Sequence, residues 1–213
     1  EYYVRYNSMK NRKNEIGHDG EKNAAAELNR GRRVAAELAK CAIFVVLMIV
    51  SAFIKIPFPL VPLTFQTVVA VLAGLLLGPL YGTAAVGVYI FMGLIGLPVF
   101  TSGGGFAYVV QPTFGYILGF AAAAFVAGAL CGRGKAAQIT LRGALLASVA
   151  GFLVNYIVGV PYFLLIWHFY MHNGGVWQAA VTYNLIYMPK DLALCLLAGF
   201  LAWRVRPLLD RLR

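Results

Sequence analysis

Six apolar runs alternate with short breaks along the chain, over residues 34–55, 63–77, 83–97, 114–131, 143–162 and 180–203. A helix needs about 20 mostly apolar residues to cross the hydrocarbon core of a bilayer. The pattern therefore predicts an all-α integral membrane protein with six transmembrane helices. The breaks carry their own signals. Residues 56–62 hold Pro57, Pro59 and Pro62, which cannot continue a helix. Gly78-Pro79 separates the second run from the third, and Pro98 ends the third. Phe100 to Tyr108 encloses Gly103, Gly104 and Gly105, whose backbone can take conformations closed to other residues. Trp167, His168, Tyr170, His172 and Trp177 form an aromatic, weakly polar stretch suited to a membrane interface. Residues 1–33 lack apolar periodicity up to about Ala24. They predict a mobile cytosolic tail, ending in a short helix that leads into the membrane domain of residues 34–213.

Small residues recur within the runs at helical spacing. Gly74, Gly78 and Gly82 are four apart, as are Gly115 and Gly119, which favours close helix packing. Ala35, Ala39 and Ala42 form a similar stripe on the first run.

Composition agrees with a membrane domain: 61% of the 213 residues are hydrophobic and 12% charged, against about a quarter charged in soluble domains. The net charge of +10 does not point to nucleic acid, because Lys and Arg gather at the ends of the apolar runs. Nine lie in the tail through Lys40, three in the segment 133–142 and four after Trp203. Of the three loops that alternate with these, only the first carries a cation, Lys55. The positive-inside rule then puts both termini in the cytosol. The proline turn and the glycine-rich loop fall on the external side.

Several motifs carry no chemistry. Cys41, Cys131 and Cys195 are scattered, with neither metal-ligand spacing nor a disulfide pattern. Gly128 to Lys135 resembles a phosphate loop only faintly, with alanines at 129 and 136 where glycine and a hydroxyl residue are required. His168 and His172 are four apart but have no carboxylate or thiol near them in sequence. No cofactor or metal is expected.

One residue stands out. Asp191 is the sole acid between Glu37 and Asp210, and it lies in the last apolar run. An acid at membrane depth is costly and marks a site by default. Pro189 removes a backbone donor beside it, which predicts a bent helix with a spare carbonyl at Leu185. Asn184, Tyr187 and Asp191 share a helical face, whereas Lys190 points about 100° away. Tyr108, Tyr116, Tyr156, Tyr187 and Phe106 are available as flat walls with occasional hydroxyls. A carboxylate accepts two parallel N–H bonds at once. The expected ligand is thus a small, partly apolar, nitrogen-containing nutrient. A structural Asp–Lys pair is the plain alternative. A membrane-integral enzyme using Asp191 as acid or base is the alternative from another class. No second acid, nucleophile or metal cluster supports it.

The segments Phe53 to Gln66, Leu77 to Gly82, Gly96 to Phe100, Pro112 to Tyr116 and Pro189-Lys190-Asp191 resemble, in order and spacing, the BioY family. That family comprises biotin-specific substrate-binding (S) components of energy-coupling factor transporters. The resemblance covers about residues 35–205. It implies a cell-membrane protein of six helices that captures biotin from outside, in a cavity closed by external loops. It also implies docking onto a transmembrane T component with two cytosolic ATPases. The stripe Ala35, Ala39 and Ala42 is the candidate docking face, although the family's usual alanine pair falls at Ala42 and Val46. The resemblance assigns Asp191 to the ureido ring of biotin. Many relatives have glycine before that acid and lysine three residues after it. Here Lys190 and Leu194 stand there, and Ile117 follows Tyr116 where some relatives have arginine. Some relatives also place an asparagine in the glycine-rich loop. Gln111 or Asn155 is the expected substitute for it, with Lys190 contributing charge. Gly104, Asn155, Tyr156 and Gly159 complete the expected lining. An S component for another vitamin is the alternative within this architecture.

Overall fold

A computed structural model describes residues 2–56, 63–131, 140–172 and 174–211. Among these residues the chain is mostly helical, with one two-residue ladder, and it is a multi-pass membrane protein. Helix α1 spans Tyr2–Phe53. Strands β1 (Lys55–Ile56) and β2 (Leu63–Thr64) pair antiparallel, Lys55 opposite Thr64. Then follow α2 (Gln66–Leu94), a 3-10 turn (Phe106–Val110), α3 (Phe114–Leu130) and α4 (Leu141–Leu165). A π turn at Ile166–Tyr170 extends α4. The last rod begins with α5 (Val176–Ala180), passes through a π turn at Val181–Leu185 and continues as α6 (Met188–Arg211). Four stretches are long and apolar enough to cross a bilayer: Ala26–Phe53, Gln66–Leu94, Leu141–Tyr170 and Val176–Leu208. Phe114–Leu130 is apolar but shorter. Most of the proline turn and of the basic segment 132–142 lies outside the described residues.

The length of α2 is deceptive. Gly78 sits at φ 83°, ψ 177°, far from helical values, and Pro79 follows it. The chain doubles back there. Gln66 Nε2 donates to Tyr89 Oη at 2.6 Å across 23 residues, which would be about 34 Å apart in a straight helix. So the second and third apolar runs form a hairpin whose turn is Gly78, as the Gly-Pro break predicted. Glycine is needed because its missing Cβ makes this positive φ accessible.

Three expectations need correcting. The backbone is helical from Tyr2, not only from Ala24. Asn, Lys, Glu and Arg form solvated helices acceptably without any apolar periodicity to reveal them. The third run stops being helical at Leu94 rather than Leu97, because Gly96 takes φ 107° and turns the chain early. Pro189 does not bend the middle of a helix. It lies in the first turn of α6, where its missing N–H has no intrahelical partner in any case.

The chain divides into two compact units, residues 1–39 and 40–213. Within the second, one apolar cluster joins Phe44, Val45 and Met48 of α1 to Ala73, Val86 and Tyr89 of α2 and to Phe114 and Phe120 of α3. Another joins Val71 and Leu75 to Ala123 and Ala127, to Phe152 of α4 and to Cys195 and Ala198 of α6. At one end of this unit, Arg206 Nη1 reaches the carbonyls of Leu75 and Cys131, both at 3.4 Å. At the other end lies a cavity.

Candidate functional site

The cavity has a volume of about 60 Å³, small beside the usual range for small-molecule sites, about 300–1,000 Å³. Five parts of the chain build it. Thr64 of β2 and Gln66 and Thr67 at the start of α2 form one side. Thr101 and Tyr108 come from the glycine-rich loop. Thr113, Tyr116, Ile117 and Phe120 come from α3 and the residue before it, and Tyr156 from α4. Tyr183, Asn184, Tyr187, Lys190 and Asp191 come from the last rod.

The glycine-rich loop folds back over the end of α2. Gly103 and Gly105 have φ of 115° and 103°, and Gly105 N–H donates to the Gly93 carbonyl at 2.7 Å. Phe100 is almost fully buried and packs edge-on to Tyr89. Thr101 Oγ1 and Tyr108 Oη lie 2.9 Å apart, which fixes both on the cavity wall. Lys55 Nζ donates to the Thr101 carbonyl, tying the β1–β2 ladder to this loop.

Asp191 is the chemical centre. It lies in the first turn of α6, where a helix favours negative charge. The residue is 8% exposed. Its Oδ2 accepts from Tyr156 Oη at 2.8 Å. Its Oδ1 is buried and held 2.6 Å from Lys190 Nζ in an ion pair. Lys190 Nζ also donates to the Thr64 carbonyl at 2.7 Å and stands 5.9 Å from the Phe65 ring centre. The expectation that Lys190 points away from the acid therefore needs correcting. Its Cα faces elsewhere, but its long, flexible stem brings the ammonium back.

Asn184 orders the wall rather than offering a vacant amide. Its Nδ2 donates to the Ala180 carbonyl at 3.1 Å, and its Oδ1 accepts from Tyr116 Oη. The Tyr116 ring lies against Gly159, and its centre is 5.8 Å from that of Tyr156. Gly159 thus supports the lining from behind.

The structure gathers seven of the twelve expected binding residues on the cavity wall: Asp191, Lys190, Tyr187, Asn184, Tyr116, Tyr108 and Tyr156. The other five lie elsewhere. Phe106 is 78% exposed. Gln111 is exposed because it closes the 3-10 turn, its N–H on Tyr108 and its carbonyl on Phe114. Gly104 packs on the Leu97 backbone, Gly159 behind Tyr116, and buried Asn155 on Gly119 of α3. Neither side-chain atom of Asn155 finds a hydrogen-bond partner among the described residues. The sequence reading missed the threonines and Tyr183. Their signals exist: polar Thr64, Gln66 and Thr67 open an apolar run, and Tyr183 stands four and eight residues before Tyr187 and Asp191, on one helical face. Among the described residues, no three His, Cys, Asp or Glu side chains gather as a metal site.

A buried carboxylate paired with a lysine, in an aromatic-walled cavity of a membrane helix bundle, defines a membrane-embedded binding protein for a small polar-headed molecule. The sequence profile of the BioY family matches residues 21–211. The chain belongs to the BioY family. A probable biotin transporter BioY of Lysinibacillus sphaericus is 41% identical over 169 residues, 79% of this chain and 85% of that protein. The biotin transporter BioY of Thermotoga maritima is 36% identical, over 81% of this chain and 96% of that protein. A crystal structure of the S-component for biotin from an ECF-type ABC transporter superposes with a TM-score of 0.63. Its sequence identity is 27%, and the match covers 83% of this chain and 93% of that one.

Proposed function

We propose that this protein is the biotin-capturing S component of an energy-coupling factor transporter, holding the vitamin against Asp191. The observation that carries this reading is the Asp191 carboxylate itself. Tyr156 orients it through Oδ2 and Lys190 pairs with Oδ1, which leaves further lone-pair directions on the carboxylate. The ureido ring of biotin presents two parallel N–H groups, and a carboxylate is their natural acceptor. Tyr116, Tyr156 and Tyr187 offer apolar faces to the fused rings. The threonines across the cavity offer hydroxyls to the polar end of the side chain.

The bundle crosses the plasma membrane six times in this reading, because α2 contributes both arms of its hairpin. Supporting this count, Gln66 meets Tyr89 and the turn falls at Gly78. Both termini face the cytosol, as the distribution of Lys and Arg requires. Residues 1–33 form the cytosolic tail and residues 34–213 the S-component domain. The ladder, the glycine-rich loop and the cavity then face outward, where the vitamin arrives. The chain's own phosphate-loop resemblance is too faint for ATP hydrolysis, so energy comes from two cytosolic ATPases through a T component. Ala35, Ala39 and Ala42 are all exposed on α1 and serve as its docking stripe.

A ligand screen by thermal unfolding tests the substrate. Biotin at about a hundred times its Kd is expected to stabilise the detergent-purified protein by about 2.7 kcal/mol. Other vitamins should leave the transition unmoved. Stabilisation by a different vitamin alone would assign the cavity to that molecule instead.

A further inference from the structure

Lys190 and Asp191 are the two charged residues of the cavity lining, and their charges cancel. The remaining polar residues on the wall are threonines, tyrosines and two amides, all neutral at ordinary pH. Lys190 is more than a nearby cation that a ligand would push aside. Its ammonium is anchored from its other side by the Thr64 carbonyl at 2.7 Å, and Phe65 flanks it. Thr64 in turn belongs to the β1–β2 ladder, opposite Lys55. The positive charge is therefore held in place 2.6 Å from Oδ1.

This arrangement separates two properties of a carboxylate. A lone carboxylate at this depth attracts any cation, because opposite charges interact strongly at low effective dielectric. With an anchored ammonium beside it, the net charge at the cavity is near zero. A cation arriving at Asp191 would face the Lys190 ammonium at close range. Hydrogen-bond acceptor capacity survives, since Tyr156 and Lys190 engage only two of the carboxylate's several lone-pair directions. Neutral N–H donors gain that capacity without meeting a repulsive charge.

We propose that Lys190 is a specificity-determining residue: it cancels the charge of Asp191, so the site takes neutral N–H donors and rejects ammonium or guanidinium head groups of the same shape. The proposal rests on the biotin reading for the identity of the neutral head group.

The test uses biotin and its guanidino analogue, 2-iminobiotin, in which a nitrogen replaces the ureido oxygen and the ring is cationic at neutral pH. Competition binding on the purified full-length protein gives the ratio of their affinities. The wild type should prefer biotin. In Lys190→Met the ratio should shift toward the cationic analogue by at least about tenfold, the scale of one uncompensated charge in a partly desolvated site. Lys190→Arg should keep the wild-type ratio, since a guanidinium supplies the same charge. Should Lys190→Met not fold, Lys190→Gln supplies a neutral side chain with the same expected shift. A lysine that merely braces the fold would lower both affinities together and leave the ratio unchanged. An unchanged ratio in the neutral variants, or loss of both ligands from a folded variant, overturns the inference. Failure of the wild type to bind biotin overturns the biotin reading and this inference with it. An unchanged ratio with biotin bound overturns this inference alone.

Discussion

Asp191→Asn should weaken biotin binding by about two orders of magnitude while leaving the helix bundle intact. The carboxylate accepts from Tyr156 Oη at 2.8 Å on Oδ2, pairs with Lys190 through Oδ1 and has further lone-pair directions for a ligand. An asparagine of the same shape offers one acceptor oxygen and turns an NH₂ group toward one ureido donor. Hydrogen bonds to charged acceptors contribute about 1.5–3 kcal/mol, and an unsatisfied buried donor costs about 1–3 kcal/mol more. Together they give a loss of about 3 kcal/mol, roughly 150-fold in Kd. The substitution also leaves the Lys190 ammonium without its counter-charge, although Thr64 still accepts from it. Equilibrium binding of labelled biotin to purified wild type and variant measures the effect. Retention of wild-type affinity would remove Asp191 from the binding machinery and leave it as half of a structural ion pair.

The second large effect concerns the fold. Gly74→Val should collapse the packing of α2 on α3, with a loss of more than about 3 kcal/mol, beyond the usual cost of overpacking. A Cβ at Gly74 would lie 2.1 Å from the Ala124 carbonyl oxygen and 2.8 Å from its carbonyl carbon. Those are backbone atoms of a packed helix and cannot swing aside. Gly87→Val is the matched control, because a Cβ there meets nothing within 4 Å. Thermal unfolding in detergent should show a large drop for the first variant and a small one for the second. Equal behaviour of the two would mean that α2 and α3 do not approach as closely as described.

That pair of glycines also marks how far the sequence can be read. The four-residue repeat of Gly74, Gly78 and Gly82 announced tight packing, but the three positions do different work. Gly74 admits the α3 backbone, Gly78 makes the turn, and Gly82 on the returning arm lies against Ala73 and Gly74 of the first. Spacing reveals small residues and does not say whether a helix or a turn needs them. The site was legible where one element determined it. Asn184, Tyr187 and Asp191 were placed on one face by helical periodicity alone, and all three line the cavity.

What escaped depended on contacts between distant segments. Thr64 is 126 residues from Lys190, and the hydrogen bond between them fixes the ammonium beside the acid. Nothing local in either segment encodes that meeting. Gln111 and Asn155 were expected at the site through likeness to relatives that carry an amide there. Here Gln111 is exposed and off the cavity wall, and Asn155 faces Gly119 rather than the cavity. The amides on the wall are Gln66 and Asn184. Both are engaged, Gln66 with Tyr89 and Asn184 with Tyr116.

The central claim is that one inward carboxylate grips the ureido ring. An experimental structure of the protein with biotin bound measures this most directly. The account predicts at least one ureido nitrogen within about 2.7–2.9 Å of an Asp191 oxygen, the range of charge-assisted hydrogen bonds, with the rings against Tyr116 or Tyr156. Biotin seated elsewhere, or turned so that its ureido nitrogens face away from Asp191, would contradict it.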